Sequence, residues 1–275
     1  MKTTSFIACI FVLFILSFSS CNDEVNTEII TKEKLSGFIQ KGPFLNGTSI
    51  LISELNPNLY QTGKLFSSQI MDNEGTYELT NLQLSSPYVQ LKADGFYFNE
   101  VTGETSKSQI TLFALADISN TSTMNVNVLT TLEKGRVEKL VAGRLSFSKA
   151  KRQAMQEILA IFNMKKGDMQ RSELLDINKP GDDNAILLAI SSILQGFRSE
   201  AELSELLANI SADISPDGKL DNEDLRSSLI SQAKYLNNVT IRENMDNRYH
   251  EIGGTVQIPE FEKYITQFIA ISNPN

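Results

Sequence analysis

Apolar positions along this chain follow three different rhythms. From Phe6 to Phe18 they run almost without a break. Between residues 36 and 118 they gather in short β-branched and aromatic runs set between turn formers. From about Asn125 to the end they recur at helical spacing. The middle section predicts strands over Gly37–Gln40, Ser49–Leu55, Lys64–Ile70, Thr76–Leu79, Tyr88–Ala93 and Gln109–Leu115. Gly42-Pro43, Asn46-Gly47, Asn56-Pro57, Asn73-Glu74-Gly75 and Asp94-Gly95 separate them. Gly and Asn tolerate positive φ and Pro fixes φ, so these are turns. Strands recurring about every ten residues predict an antiparallel β-sandwich over 36–120.

The last section predicts an all-helical domain over 125–275. Leu129, Leu132, Val137, Leu140 and Val141 share one helix face. Ala150, Ala154, Ile158 and Phe162 form a second row, and Ile186, Leu187, Ile190, Ile193, Leu194 and Phe197 a third. Ser199 with Glu202, and Thr240 with Glu243, have capping-box spacing. The first leads into Leu203, Leu206, Leu207 and Ile210, and the second into a helix stopping at Gly253-Gly254. Phe261, Tyr264, Ile265 and Phe268 make a last stripe. Amphipathic helices need somewhere to bury one face, so these rows predict a shared helical core. The fold class expected is segregated α+β, a sandwich followed by a helical bundle.

The first section has another meaning. Lys2, the apolar run and the small residues Ser19-Ser20 make a secretory signal peptide over 1–20. The run is short for a spanning helix, which needs about 20 apolar residues. Ser17-Phe18-Ser19-Ser20-Cys21 resembles a lipobox, with Phe18 where Leu is usual. That resemblance implies diacylglycerol on Cys21 and a membrane anchor. The acidic run Asn22-Asp23-Glu24 resembles the signal that sends Bacteroidetes lipoproteins to the outer face of the outer membrane. It is equally a solvated linker, and residues 21–35 are expected to be a flexible tether. The localisation implied is the cell envelope, surface-exposed, with a periplasm-facing alternative.

Composition narrows the chemistry. Cys9 lies in the leader and lipid would consume Cys21, so no thiol nucleophile, disulfide or Cys-ligated zinc remains. A net charge of −8 argues against nucleic acid as a partner. His250 is the single histidine, which excludes a multi-histidine metal site. Ser191-Ser192 lie in an apolar helical row, and neither a G-x-S-x-G elbow nor a phosphate-cradling glycine loop occurs. Glu100 and Glu104 flank the aromatic run and are the acids of which a carboxylate hydrolase site could be imagined. No catalytic constellation emerges, and the chain is read as a non-enzyme.

Two segments remain as candidate binding sites. Asp213, Ser215, Asp217, Asp221 and Asp224 fall at positions 1, 3, 5, 9 and 12 of a twelve-residue calcium loop. Gly218 sits at the turn and Lys219 at position 7, where only its carbonyl is needed. The same residues also make a metal-free turn and helix cap. Asp182-Asp183 fits a helix cap in the same way. The second segment, Phe96-Tyr97-Phe98, could stack on a sugar or meet a protein, or could pack into the sandwich.

Two family resemblances attach to these residues. Gly37, Gly42-Pro43, Asn46-Gly47, Ile50–Ser53, Thr62-Gly63 and Asp72-Asn73-Glu74-Gly75-Thr76-Tyr77 resemble the carboxypeptidase-regulatory-like module, a transthyretin-like sandwich. The match covers about 80 residues and departs after Leu91, where Asp94–Glu100 is longer and richer in aromatics. Such modules usually act as spacers or binding platforms. The segment Asp213–Asp224 resembles an EF-hand, and more closely a dockerin loop, with Pro216 and the short Asp224 as departures. That implies a possible calcium ion and a docking role. The function expected is a surface lipoprotein that binds or presents an extracellular protein or glycan. The alternatives are a calcium-ordered docking subunit and a surface hydrolase.

Overall fold

Ile30 opens the first strand. The computed structural model describes residues 29–254 and 256–272. The leader, Cys21 and Asn22-Asp23-Glu24 lie outside the described residues. Strand β1 runs Ile30–Gln40, so the tether expected to reach residue 35 gives way to structure earlier. The polar sequence Thr31–Lys34 looked like linker because this half of β1 keeps its side chains largely in solvent. Its backbone nevertheless pairs with β4, Thr76–Leu84, from Ile30↔Leu84 to Phe38↔Thr76.

The remaining strands are β2 Ser49–Leu55, β3 Gln61–Gln69, β5 Tyr88–Gly95 and β8 Ile110–Asp117. Between β5 and β8, the pair β6 Phe98–Asn99 and β7 Glu104–Thr105 forms a short hairpin. The two-residue strand β9, Val126–Asn127, pairs parallel to β1. One sheet has the order β4-β1-β9 and the other β3-β2-β5-β8. Among these strands the pairings are antiparallel except that of β1 with β9, which an isolated parallel bridge from Ser36 to Thr123 accompanies. Alternation does the sorting: along β5, Val89, Leu91 and Ala93 are buried while their neighbours are half-exposed.

The Asp72–Tyr77 segment joins the sheets. Asp72 Oδ1 accepts the backbone N–H groups of Glu74, Gly75 and Thr76 at 2.9, 3.1 and 3.1 Å. Gly75 has φ +83°, and a Cβ there would meet the Ile39 carbonyl. Tyr77 sends its hydroxyl across to the Met124 carbonyl at 2.6 Å.

Helices follow from Val128. They are α1 Val128–Ala142, α2 Phe147–Ile161, α3 Asp182–Gln195, α4 Glu200–Ile214, α5 Glu223–Ala233, α6 Asn238–Glu251 and α7 Glu262–Ser272. No described helix is long and apolar enough to cross a membrane. The chain is therefore a segregated α+β protein. The two halves share one buried cluster that extends from Leu35 to Phe268. Strand β8 would expose an edge, but α1 covers it: Thr131 Oγ1 accepts the Phe113 N–H at 3.0 Å and Thr130 Oγ1 donates to the Phe113 carbonyl at 2.8 Å.

Three helix boundaries differ from the sequence reading. The Ser199–Glu202 box caps α4, but α6 starts earlier than Thr240. Asn237 caps it instead, accepting from the N–H groups of Val239 and Thr240. Gly181, not Asp182 or Asp183, is the N-cap of α3; the two acids occupy its first turn, where the helix dipole favours negative charge. Phe197 falls beyond α3 and is exposed rather than part of its stripe.

Candidate functional site

Helix α1 buries more than its apolar stripe. Glu133 and Arg136 sit among Leu129, Leu132 and Val137, at the positions a helix turns toward the core. Each charge needs a partner there, because an isolated buried charge is costly. Helix α2 supplies both. Lys151 Nζ lies 2.5 Å from Glu133 Oε2, and Glu157 takes the Arg136 guanidinium through both oxygens at 2.7 and 2.9 Å.

The lysine serves a second acid. Glu173 stands in the 3-10 turn Ser172–Leu174, and its Oε2 is 3.0 Å from Lys151 Nζ. Ser172 Oγ donates to Glu133 Oε1. Glu133 and Glu173 are each 1% exposed and Lys151 4%. Burial pushes the Glu133 carboxyl above the ordinary glutamate range; the neighbouring charge of Glu173 adds to this and Lys151 opposes it. Burial opposes the charge on Lys151, but Glu133 and Glu173 together outweigh it and hold its pKa above the usual lysine value.

A cavity of about 280 Å3 opens beside this group. From α2 it is lined by Ser148, Lys151, Arg152 and Met155, a single helix face at i, i+3, i+4 and i+7. Glu133 of α1 completes it with Gly167, Asp168, Met169, Arg171 and Ser172. Its buried members, Glu133, Lys151, Met155, Met169 and Ser172, form the floor, and the exposed Arg152, Asp168 and Arg171 form the rim. A wider groove lies near the start of α3, but there Arg242 closes on Glu262 and Lys263 on Asp182, both at 2.6 Å.

The segments singled out in the sequence lie elsewhere. In the Asp213–Asp224 loop, Asp213 Oδ2 accepts the N–H groups of Asp221 and Asn222, and Asp217 Oδ1 accepts that of Lys219. Ser215 Oγ donates to the Gly135 carbonyl at 3.2 Å. Asn222, rather than Asp221 or Asp224, caps α5. The carbonyls of Ser215 and Pro216 accept from Arg136 Nη1 at 3.2 and 2.8 Å. Among the described residues no three acidic, His or Cys side chains are grouped to hold a metal ion.

The aromatic run divides. Tyr97 and Phe98 are buried, Tyr97 stacking on Phe44 at 5.9 Å and donating to Gln195 Oε1 at 2.8 Å. Phe96 is exposed. Glu100 is fully buried on Lys41, whereas Glu104 is exposed in β7, so these acids do not converge. His250 is exposed in the last turn of α6, and Ser191 donates into the Lys41–Glu100 group from inside α3.

Sequence reading missed the Glu133–Lys151–Glu173 group. The signal available was local: two charges inside the α1 stripe, and a lysine beside Ala150 in the α2 row. No family model, curated protein or solved structure matches this chain.

Proposed function

We propose that this protein is an outer-membrane lipoprotein that binds or presents a ligand outside the cell and does not transform it. Lipid on Cys21 would hold it at the membrane. Eight residues separate Cys21 from β1, a reach of roughly 30 Å when fully extended. The sandwich would therefore stand close to the lipid surface, as a platform for the helices.

One observation carries the non-enzymatic reading. The two acids beside the cavity, Glu133 and Glu173, both close on the same ammonium, Lys151. Carboxylate hydrolysis needs two acids on either side of a scissile bond. Here Lys151 Nζ fills the space between them.

The test has three arms: lipid labelling, protease treatment of cells and assay of glycoside hydrolysis. Cells fed a tagged palmitate should label the wild-type protein and not Cys21→Ala. Protease added to intact cells should then remove the wild-type protein. Labelling of Cys21→Ala would overturn the anchor, and full protection would overturn the surface location. Hydrolysis of glycosidic substrates, lost in Glu133→Gln, would overturn the non-enzymatic reading.

A further inference from the structure

The cavity beside Lys151 has charge of opposite sign at its two levels. At the floor, Lys151 is shared by Glu133, which lines the cavity, and by Glu173, which stands behind it, so this buried group holds one carboxylate more than it holds ammonium. Both Glu173 oxygens are buried and lack a well-aligned hydrogen-bond donor. At the rim, Arg152 and Arg171 outnumber Asp168. Arg152 makes no ion pair among the described residues. Arg171 reaches Glu173 Oε1 only at 3.5 Å, with its own side chain 48% exposed. That contact is long and open to water, so it offsets little of the buried charge.

The buried lining is apolar where Met155 and Met169 stand beside Glu133 and Lys151, and thioether side chains adapt to alkyl chains of varied shape. The cavity volume of about 280 Å3 sits at the lower edge of the range of roughly 300–1,000 Å3 that holds drug-sized ligands. A ligand complementary to this arrangement is small, cationic at the inner end, aliphatic in the middle and anionic at the outer end. Inorganic anions fit less well, because Lys151, the one buried cation, is already shared by two acids.

We propose that this cavity binds a free small zwitterion of the amino-acid class, its ammonium on Glu133 and its carboxylate between Arg152 and Arg171. The inference deepens the ligand-binding reading above and rests on it. Anchoring through Cys21 is independent of it, so loss of lipid labelling and loss of ligand binding are separate failures.

Calorimetric titration of the purified mature chain tests the assignment. The probes are 5-aminopentanoate, pentylamine and pentanoate, which share one chain length and differ in their ends. The zwitterion should bind at least about tenfold more tightly than either single-ended probe. Arg152→Ala should reduce it to the level of pentylamine, and Glu133→Gln to the level of pentanoate. Arg152 is exposed, so its replacement leaves the fold intact whatever Glu133→Gln does, and melting curves check both. The proposal fails if a single-ended probe equals the zwitterion. It also fails if none of the three binds up to about 10 mM, or if Arg152→Ala binds the zwitterion as the wild type does.

Discussion

Lys41 and Glu100 form an ion pair from which water is excluded, with Nζ 2.7 and 2.6 Å from the two carboxylate oxygens and neither side chain exposed. Burial pushes the lysine pKa down, and Glu100 opposes that shift. The pair joins the two halves of the fold. Ser191 Oγ of α3 lies 2.9 Å from both Glu100 Oε1 and the Lys41 carbonyl, which share its one proton, while Asn244 of α6 donates to the Glu100 carbonyl at 3.0 Å. Removing one charge leaves the other buried and alone. Lys41→Met or Glu100→Leu should each cost about 3–5 kcal/mol, and the double variant far less than their sum. Urea unfolding of the four proteins measures this. Additive costs would mean that the pair does not act as a unit.

The Glu133–Lys151–Glu173 group should respond to its members in opposite directions. Lys151→Met leaves two buried carboxylates without the ammonium they share and should cost about 3–5 kcal/mol near neutral pH. Glu133→Gln leaves a one-to-one Lys151–Glu173 pair and should be neutral or stabilising.

The pH dependence carries a definite sign. The Glu133 pKa is raised in the folded state above its ordinary value of 4.5, so the folded protein holds that proton more tightly than the unfolded chain. Its contribution is fully present below 4.5 and is lost as pH rises through the raised value. Glu133→Gln should abolish that decline. Chemical denaturation repeated across this pH range tests it, and an unchanged slope in the variant would refute the assignment to Glu133.

Backbone crowding gives a third prediction. A Cβ on Gly42 would run into the Phe98 carbonyl, whereas one on Gly167 would meet nothing within 4 Å. Gly42→Ala should therefore cost about 1–3 kcal/mol. Gly167→Ala should stay within about 0.5 kcal/mol. Neither glycine needs a positive φ, so the comparison isolates the contact between the β1–β2 turn and β6. Equal denaturation midpoints for the two variants would count against that packing.

These groups explain which features could be read from sequence. The helix rows were legible because a stripe such as Ala150-Ala154-Ile158 is written in consecutive turns. Strands β2 and β5 were legible from alternation and flanking turn residues. The first half of β1 was not, since backbone pairing with β4 holds it while its polar side chains stay wet. The buried ion groups were hidden for another reason. Lys41 meets Glu100 across 59 positions, and Glu133 and Glu173 meet on Lys151 only once α1 packs on α2. No spacing rule links such residues. The charge pattern hinted at them only as polar residues on faces that should have been apolar.

The Asp213–Asp224 loop yields the last prediction. Its oxygens have calcium-loop spacing, and two of its carboxylates, Asp213 and Asp217, accept backbone N–H groups of the loop. Asp213 closes the loop onto the N–H groups of Asp221 and Asn222 at 2.7 and 3.2 Å. The carbonyls of Ser215 and Pro216, at the end of α4, receive a guanidinium from Arg136. That arginine is itself oriented by Glu157, whose carboxylate lies where a side chain on Gly218 would have to go. The guanidinium from α1 thus sits against the first carbonyls of the loop. Replacing calcium with a chelator should move the melting temperature by less than about 1 °C, because a ligand that binds only the folded state must raise it. Arg136→Met should destabilise the protein by about 2–3 kcal/mol through the lost charge-assisted hydrogen bonds. A rise of several degrees with calcium in the wild type would show that the loop holds a metal and that Arg136 is not its substitute. A calcium response in Arg136→Met alone would show the reverse, that the arginine blocks a site whose carbonyls are otherwise free.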